Sequence, residues 1–315
     1  MIERLRLELA QAHVASLSQH VLLTGAPPHE VVEDRDHWYR GSFHGPVLSV
    51  TPTGSGGGSR YRLELRWHGA GTAAINRDRD CDWRDFDQGF NDLMPADHRV
   101  LLDMSTFGFD GLIYLLRALD RRTIKRFDYC YVVPAGYDQD PILDLQHDIR
   151  QPKGYVELID PEQRRAKLFL LGFDELRADR FLDTYDWSDD DLYVCIGDPG
   201  TVPDGFDRSR KALSDRLGRL VDRCPERVFR RDAADPHALE ALILKMVDLH
   251  QRLDLMPLGP KPWTFAAASA YLKLRRGKPQ GRSDSPIRIL YDYGQRKPGR
   301  THGVDSVVFG TWSLA

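Results

Sequence analysis

The chain has 315 residues, of which 41% are hydrophobic and 29% charged, with a formal net charge of −3. That length allows one large globular domain or two ordinary ones, and the composition excludes a disordered chain. The slightly acidic balance excludes a general nucleic-acid coat, so any basic site has to be local.

The opening stretch "MIERLRLELAQAHVASL" is too charged for a signal peptide, and no apolar run approaches the roughly 18 residues of a membrane span. No membrane association is expected. Next, "QHVLLTGAPP" (19–28) is a short apolar run closed by a Gly-Pro turn and reads as a strand. "PVLSV" and "RYRLELRWHG" follow, the second alternating in period two, which predicts a small antiparallel element. Between them "TPTGSGGGS" (51–59, with its glycine tract at 54–59) has no side chain able to pack and reads as a hairpin tip or linker. "DRDCDWRDFDQGF" (78–90) mixes acids with aromatics, lacks the pattern of a calcium loop, and reads as a solvated surface segment. Residues 1–95 therefore read as a β-containing N-terminal segment packed on a main domain. Its aromatics Trp38, Tyr39, Trp67, Trp83 and Phe86 would form a partner-binding surface if exposed, and core if buried.

From residue 98 the rhythm changes. "RVLLDMS" reads as a buried strand and "GLIYLLRALDRR" as a helix with Leu112, Leu115, Leu116 and Leu119 on one face. Strands at "FDYCYVVPAGY", "AKLFLLGFD", "DLYVCIGDPG", "ERVFR" and "LDLMPLG" then alternate with helices at "ELRADRFLDTY", "RSRKALSDRLGRLVDR", "DPHALEALILKMVDLHQRL" and "WTFAAASAYLKLRR". In the third helix Asp235 is the expected N-cap and Pro236 the first-turn proline. "IRILYDYG" and "SVVFGTWSL" read as final strands joined by a short loop. Continuous apolar strands alternating with amphipathic helices predict an α/β fold, a Rossmann-like, mostly parallel sheet with helices on both faces. Residues 96–315 read as that domain, with one sheet over 98–315 and an antiparallel C-terminal edge.

Parallel sheets bind ligands beyond the carboxyl ends of their strands. The residues following each predicted strand are therefore the candidate ligand-binding set. They are Asp103, Ser105 and Thr106 in "DMSTFGF", Arg177 and Arg180 in "GFDELRADR", and Gly197, Asp198 and Gly200 in "CIGDPG". Gly259 and Lys261 follow in "PLGPKPW", where backbone amides and an ammonium group would hold a phosphate. The last are Arg296, Lys297, Arg300 and His302 in "GQRKPGRTHG", four basic side chains beyond what a turn requires. This loop, 294–303, is expected to meet an anion, a nucleic-acid backbone or an acidic partner, and His302 is its acid–base candidate.

No GxGxxG, GxxxxGK[ST], GxSxG or HExxH pattern is present. Cys81, Cys130, Cys195 and Cys224 form no CxxC pair and no zinc-ligand spacing, and Cys130 and Cys195 lie in apolar runs. Reduced thiols predict a cytoplasmic protein that folds without metal, and no cofactor is implied.

The "LGPK" turn, set in the strand–helix series of 98–315, resembles that of the CRISPR-associated Rossmann fold (CARF) sensors. Those carry a Gly-Gly-Thr-Lys type turn after a late strand and bind cyclic oligonucleotides in a dimer cleft. Here Pro260 replaces the hydroxyl residue and a single glycine precedes it. The resemblance implies a nucleotide sensor of prokaryotic anti-phage defence, with Gly259 and Lys261 at its ligand and a homodimer or protein partner. The sequence thus predicts a nucleotide- or phosphate-recognising module that senses or assembles. The alternatives are a metal-dependent enzyme using Asp103, Asp174 or Asp198, and a protein-interaction subunit.

Overall fold

The computed structural model describes residues 2–25, 38–39, 41–53, 60–68, 77–137, 143–144, 149–157, 164–172, 175–185, 187–202, 204–211, 213, 215–276, 286–293, 295–296 and 301–315. They form two compact units, Met1–Gln139 with Pro298–Ala315, and Asp140–Lys297.

In the first unit the elements run β1 (Ile2–Leu5), α1 (Leu7–Ala15), β2 (His20–Gly25), β3 (Gly45–Pro52), β4 (Arg60–His68), β5 (Arg77–Asp82), α2 (Phe86–Leu93), β6 (Arg99–Asp103), α3 (Phe109–Arg121) and β7 (Arg126–Tyr137). The last strand of the chain, β17 (Thr301–Ser313), belongs to the same sheet, ordered β1-β17-β7-β6-β2-β3-β4-β5. Its four central strands, β3, β2, β6 and β7, are parallel. β4 and β5 extend one edge antiparallel, and β17 and β1 the other. Buried apolar runs such as the "VLL" in both β2 and β6 suit strands covered on both faces. One cover is Ala10 and Val14 of α1 with Trp38, Tyr39 and Phe43, packed on Leu22, Leu101, Val132 and Phe309. On the other, Tyr61 of β4 meets Phe86 and Tyr114 edge-on at 5.3 and 5.7 Å. Trp38, Tyr39 and Phe86 are thus core, Trp67 is exposed, and Trp83 stacks on Tyr114.

The second unit contains β8 (Leu143–Asp144), β9 (Ile149–Arg150), β10 (Ala166–Leu170), α4 (Glu175–Tyr185), β11 (Leu192–Gly197), α5 (Gly205–Lys211), α6 (Asp215–Arg223), β12 (Val228–Arg231), α7 (Pro236–His250), β13 (Leu253–Pro257), α8 (Lys261–Arg275), β14 (Ile287–Ile289), β15 (Tyr291–Asp292) and β16 (Gln295–Arg296). Five of the strands form a wholly parallel sheet ordered β12-β11-β10-β13-β14. In order of appearance that is 3-2-1-4-5, the doubly wound arrangement. Right-handed crossovers then send α4, α5 and α6 to one face and α7 and α8 to the other. Ala178, Phe181, Leu182, Leu217 and Leu220 accordingly pack on Phe169, Val194, Ile196 and Met256. α7 and α8 are tied to each other by Lys273 Nζ, which donates to Glu240 at 2.9 Å. Asp235 caps α7 as expected, accepting from His237 N and Ala238 N.

Three expectations are corrected. Residues 98–315 do not share one sheet, because strands near 99–104 and 127–133 lie in the eight-stranded sheet while those near 167–172, 192–197 and 286–292 lie in the second unit. Nor do the last two strands form a hairpin. β14 pairs with β13, whereas β17 lies antiparallel to β7, with Phe309 beside Cys130. The basic segment between them therefore carries the chain from the second unit back to the first. In addition, the segment at 78–90, expected as solvated surface, supplies edge strand β5 and the start of α2 with Phe86 and Phe90 fully buried.

Candidate functional site

In the second sheet the strand order reverses between β10 and β13, so their following helices, α4 and α8, leave for opposite faces. Doubly wound sheets bind ligands at this point. The two strand ends interlock here. Leu258 N donates to Leu170 O at 3.0 Å, and a Cβ on Gly172 would stand 2.6 Å from Leu258 O. A Cβ on Gly259 would meet Leu171 O at 3.0 Å. Glycine is required at both positions because backbone approaches backbone. α8 starts at Lys261 between Pro260 and Pro262, which carry no N–H, and Trp263 N and Thr264 N donate to Pro260 O. The turn therefore presents few amides, and its charge is the Lys261 ammonium group.

The first turns of α4 bring two arginines to this rim. Arg177 Nη1 donates to Leu258 O at 3.1 Å, which fixes the guanidinium beside the β13 turn. Arg177 Nε and Arg180 Nη1 each lie 3.6 Å from the carboxylate of Asp292. Asp292 is reached because β15 continues beyond the end of β14 and pairs antiparallel with β9, placing Tyr291 opposite Arg150 and Asp292 opposite Ile149. Arg150 stacks its guanidinium 4.2 Å from the ring centre of Tyr293, and that of Arg177 is 5.9 Å from the ring centre of Tyr291. Two arginines thus face one carboxylate, and Arg150 and Arg177 lie over the two tyrosines beside it, leaving local positive charge. Strand-end reasoning found Arg177, Arg180, Gly259 and Lys261. It missed Gly172, Arg150 and Asp292, whose only sequence signal is an acid set between tyrosines at the end of an apolar run.

The other candidates belong to other strands. Gly197 ends β11, the next strand along the rim, and Asp198 and Gly200 follow it. A Cβ on Gly197 would stand 3.0 Å from that of Ala233, and one on Gly200 would stand 2.7 Å from Gly205 Cα, so both serve close packing. Asp198 accepts from Arg230 Nη1 at 3.4 Å near the surface. Asp103, Ser105 and Thr106 belong to the first unit. There Asp103 accepts from Ser105 N at 2.9 Å, Ser105 Oγ accepts from Val132 N at 2.7 Å, and Thr106 Oγ1 accepts from Gly25 N at 2.8 Å. These bonds tie the ends of β2 and β6 to the middle of β7. His302 lies on β17 opposite Gly136, with an exposed side chain. The Arg296 backbone pairs with Leu143. Its side chain, Lys297, Arg300 and Asp174 lie outside the described residues. Among the described residues no group of three or more His, Cys, Asp or Glu is placed to hold a metal ion, and no helix is long and apolar enough to cross a membrane.

No protein-family model matches the chain, and no curated protein matches it significantly.

Proposed function

We propose that the second unit recognises a phosphate-bearing ligand, with a nucleotide as the leading case, at the carboxyl ends of β10 and β13. The observation that carries this reading is the convergence of Arg177 and Arg180 on the strand-order reversal, with Lys261 opening the helix opposite. Guanidinium groups match phosphate oxygens in planar, paired geometry, and partial burial strengthens the attraction. A sensing or assembly role is favoured over a reaction because the sequence holds no recognisable nucleophile–base motif. The setting implied by the "LGPK" resemblance, anti-phage defence in the cytoplasm, enters this proposal through Gly259 and Lys261 alone.

The test is calorimetric titration of AMP, ATP and inorganic phosphate into wild type and Arg180→Gln. Arg180 is the better target because Arg177 also holds the Leu258 carbonyl. Wild type should bind at least one of these anions, more weakly as salt rises, and the variant should lose about tenfold in affinity. Equal binding by the two proteins, or none by wild type, overturns the reading.

A further inference from the structure

An anion site gains nothing from a buried carboxylate, yet Asp292 is 1% exposed at its centre. Among the described residues neither of its oxygens accepts a hydrogen bond, and the nearest guanidinium nitrogens, at 3.6 Å, are beyond that reach. Buried polar atoms in folded proteins almost always find partners, so two idle acceptors on one side chain call for a specific explanation. Idle donors lie in the same cluster, because Arg177 Nε and Arg150 Nε are buried and make no hydrogen bond either. Inorganic phosphate would engage the donors and offers the two acceptors no pair of vicinal hydroxyls. A ligand carrying both an anionic group and paired hydroxyls engages both sets. Two adjacent hydroxyls match the two oxygens of a carboxylate, each donating to one. Tyr291 and Tyr293, whose ring centres are 5.2 Å apart, add aromatic surface against which a sugar or base can pack.

We infer that the ligand carries a ribose phosphate, whose vicinal hydroxyls donate to Asp292 Oδ1 and Oδ2 while its phosphate takes Arg177 and Arg180. This rests on the anion reading above and adds the class of ligand. Arg180, with 26% of its side chain exposed against 12% for Arg177, is the more accessible of the two arginines beside Asp292, and in this reading its turn toward the phosphate opens the carboxylate to the sugar.

The experiment compares AMP, ribose 5-phosphate, 2′,3′-dideoxyadenosine 5′-monophosphate and inorganic phosphate by calorimetry at constant ionic strength. Wild type should bind the two hydroxyl-bearing probes at least about tenfold more tightly than the other two, because a site built to pair hydroxyls rejects analogues lacking them. Asp292→Asn should abolish most of that preference while leaving inorganic phosphate bound as well or better. If wild type binds the dideoxy nucleotide as tightly as AMP, the ribose assignment falls and the anion reading stands. A uniform loss across all probes in Asp292→Asn makes the residue a support for the arginines and also overturns the assignment. If no probe binds wild type, both readings fall. Should Asp292→Asn fail to fold, the wild-type comparison of AMP with its dideoxy analogue still decides.

Discussion

Gly172 and Leu258 approach so closely that a Cβ on the glycine would stand 2.6 Å from the leucine carbonyl oxygen. The contact is backbone on backbone, so no side chain can turn aside to relieve it. The same carbonyl accepts from Arg177 Nη1, so the glycine sets the position of the arginine that faces the strand-order reversal. Gly172→Ala is expected to cost about 1–3 kcal/mol through overpacking. It should lower the urea midpoint of the second unit's transition. A variant as stable as wild type would show that the two strand ends do not meet this closely.

The opposite end of the same sheet is held by charge. Asp254 on β13 is 1% exposed and accepts from Arg165 Nε at 2.5 Å and from Arg288 Nε at 3.0 Å, with Arg288 Nη2 bonded to its second oxygen. Arg165 also donates to Leu253 O at 3.1 Å. Two buried cations, one just before β10 and one on β14, thus share one anion on β13. Asp254→Asn leaves both guanidinium groups without a counter-charge and should destabilise by about 3–5 kcal/mol. Arg165→Met keeps the pair of Arg288 with Asp254 and should cost clearly less. Chemical denaturation of the two variants checks the order, and the reverse order would contradict this account.

How much of this was legible follows from the range of each interaction. β6, β10, β11 and β13 announce themselves as runs such as "LFLL" and "YVCIG", because a strand buried on both faces needs no partner information to be recognised. The division into two sheets does not, since alternating strands and helices read the same whether the next strand extends one sheet or begins another. β17 lies beside β7, with the whole of the second unit between them in sequence, and nothing in "SVVFGTWSL" names that partner. α2 was hidden by its acids, although Phe86, Phe90 and Leu93 follow the helical period. In the site, Arg177 and Lys261 are legible because they lie at the starts of the helices that follow strands. Arg150 and Asp292 are not, because only the β9–β15 pairing brings them to the rim.

Thiol chemistry gives a third prediction. Burial pushes the Cys81 thiol up to about 11 and that of Cys195 up to about 12, and burial with the charge of Asp103 raises Cys130 well above its ordinary value. The thiolate is the reactive form, so these three should be inert near pH 8. Cys224, before β12, is partly exposed. Native protein should therefore react quickly with a disulfide reagent at one thiol, and at four after denaturation. Fast labelling of two or more thiols in the native state would contradict the burial of Cys81, Cys130 or Cys195.

The last prediction concerns acid. His20 Nε2 lies 3.1 Å from Asp128 Oδ2, and Thr311 Oγ1 donates to Asp128 Oδ1 at 2.7 Å, joining β2, β7 and β17. The hydrogen bond to His20, followed by that to Thr311, holds the Asp128 carboxyl below its ordinary value despite partial burial. A carboxylate with a depressed folded value stabilises above its unfolded value of about 4, and loses that contribution as pH falls through the folded value. Thr311→Val keeps the shape and removes one donor, so the folded value rises toward the unfolded one. The variant should be less stable than wild type at neutral pH. The gap should narrow as pH falls below about 4 and close once both carboxyls are protonated. Urea midpoints measured from neutral to strongly acid pH read this directly. A gap that stays constant or widens in acid would show that the threonine hydroxyl acts through packing and not through the charge of Asp128.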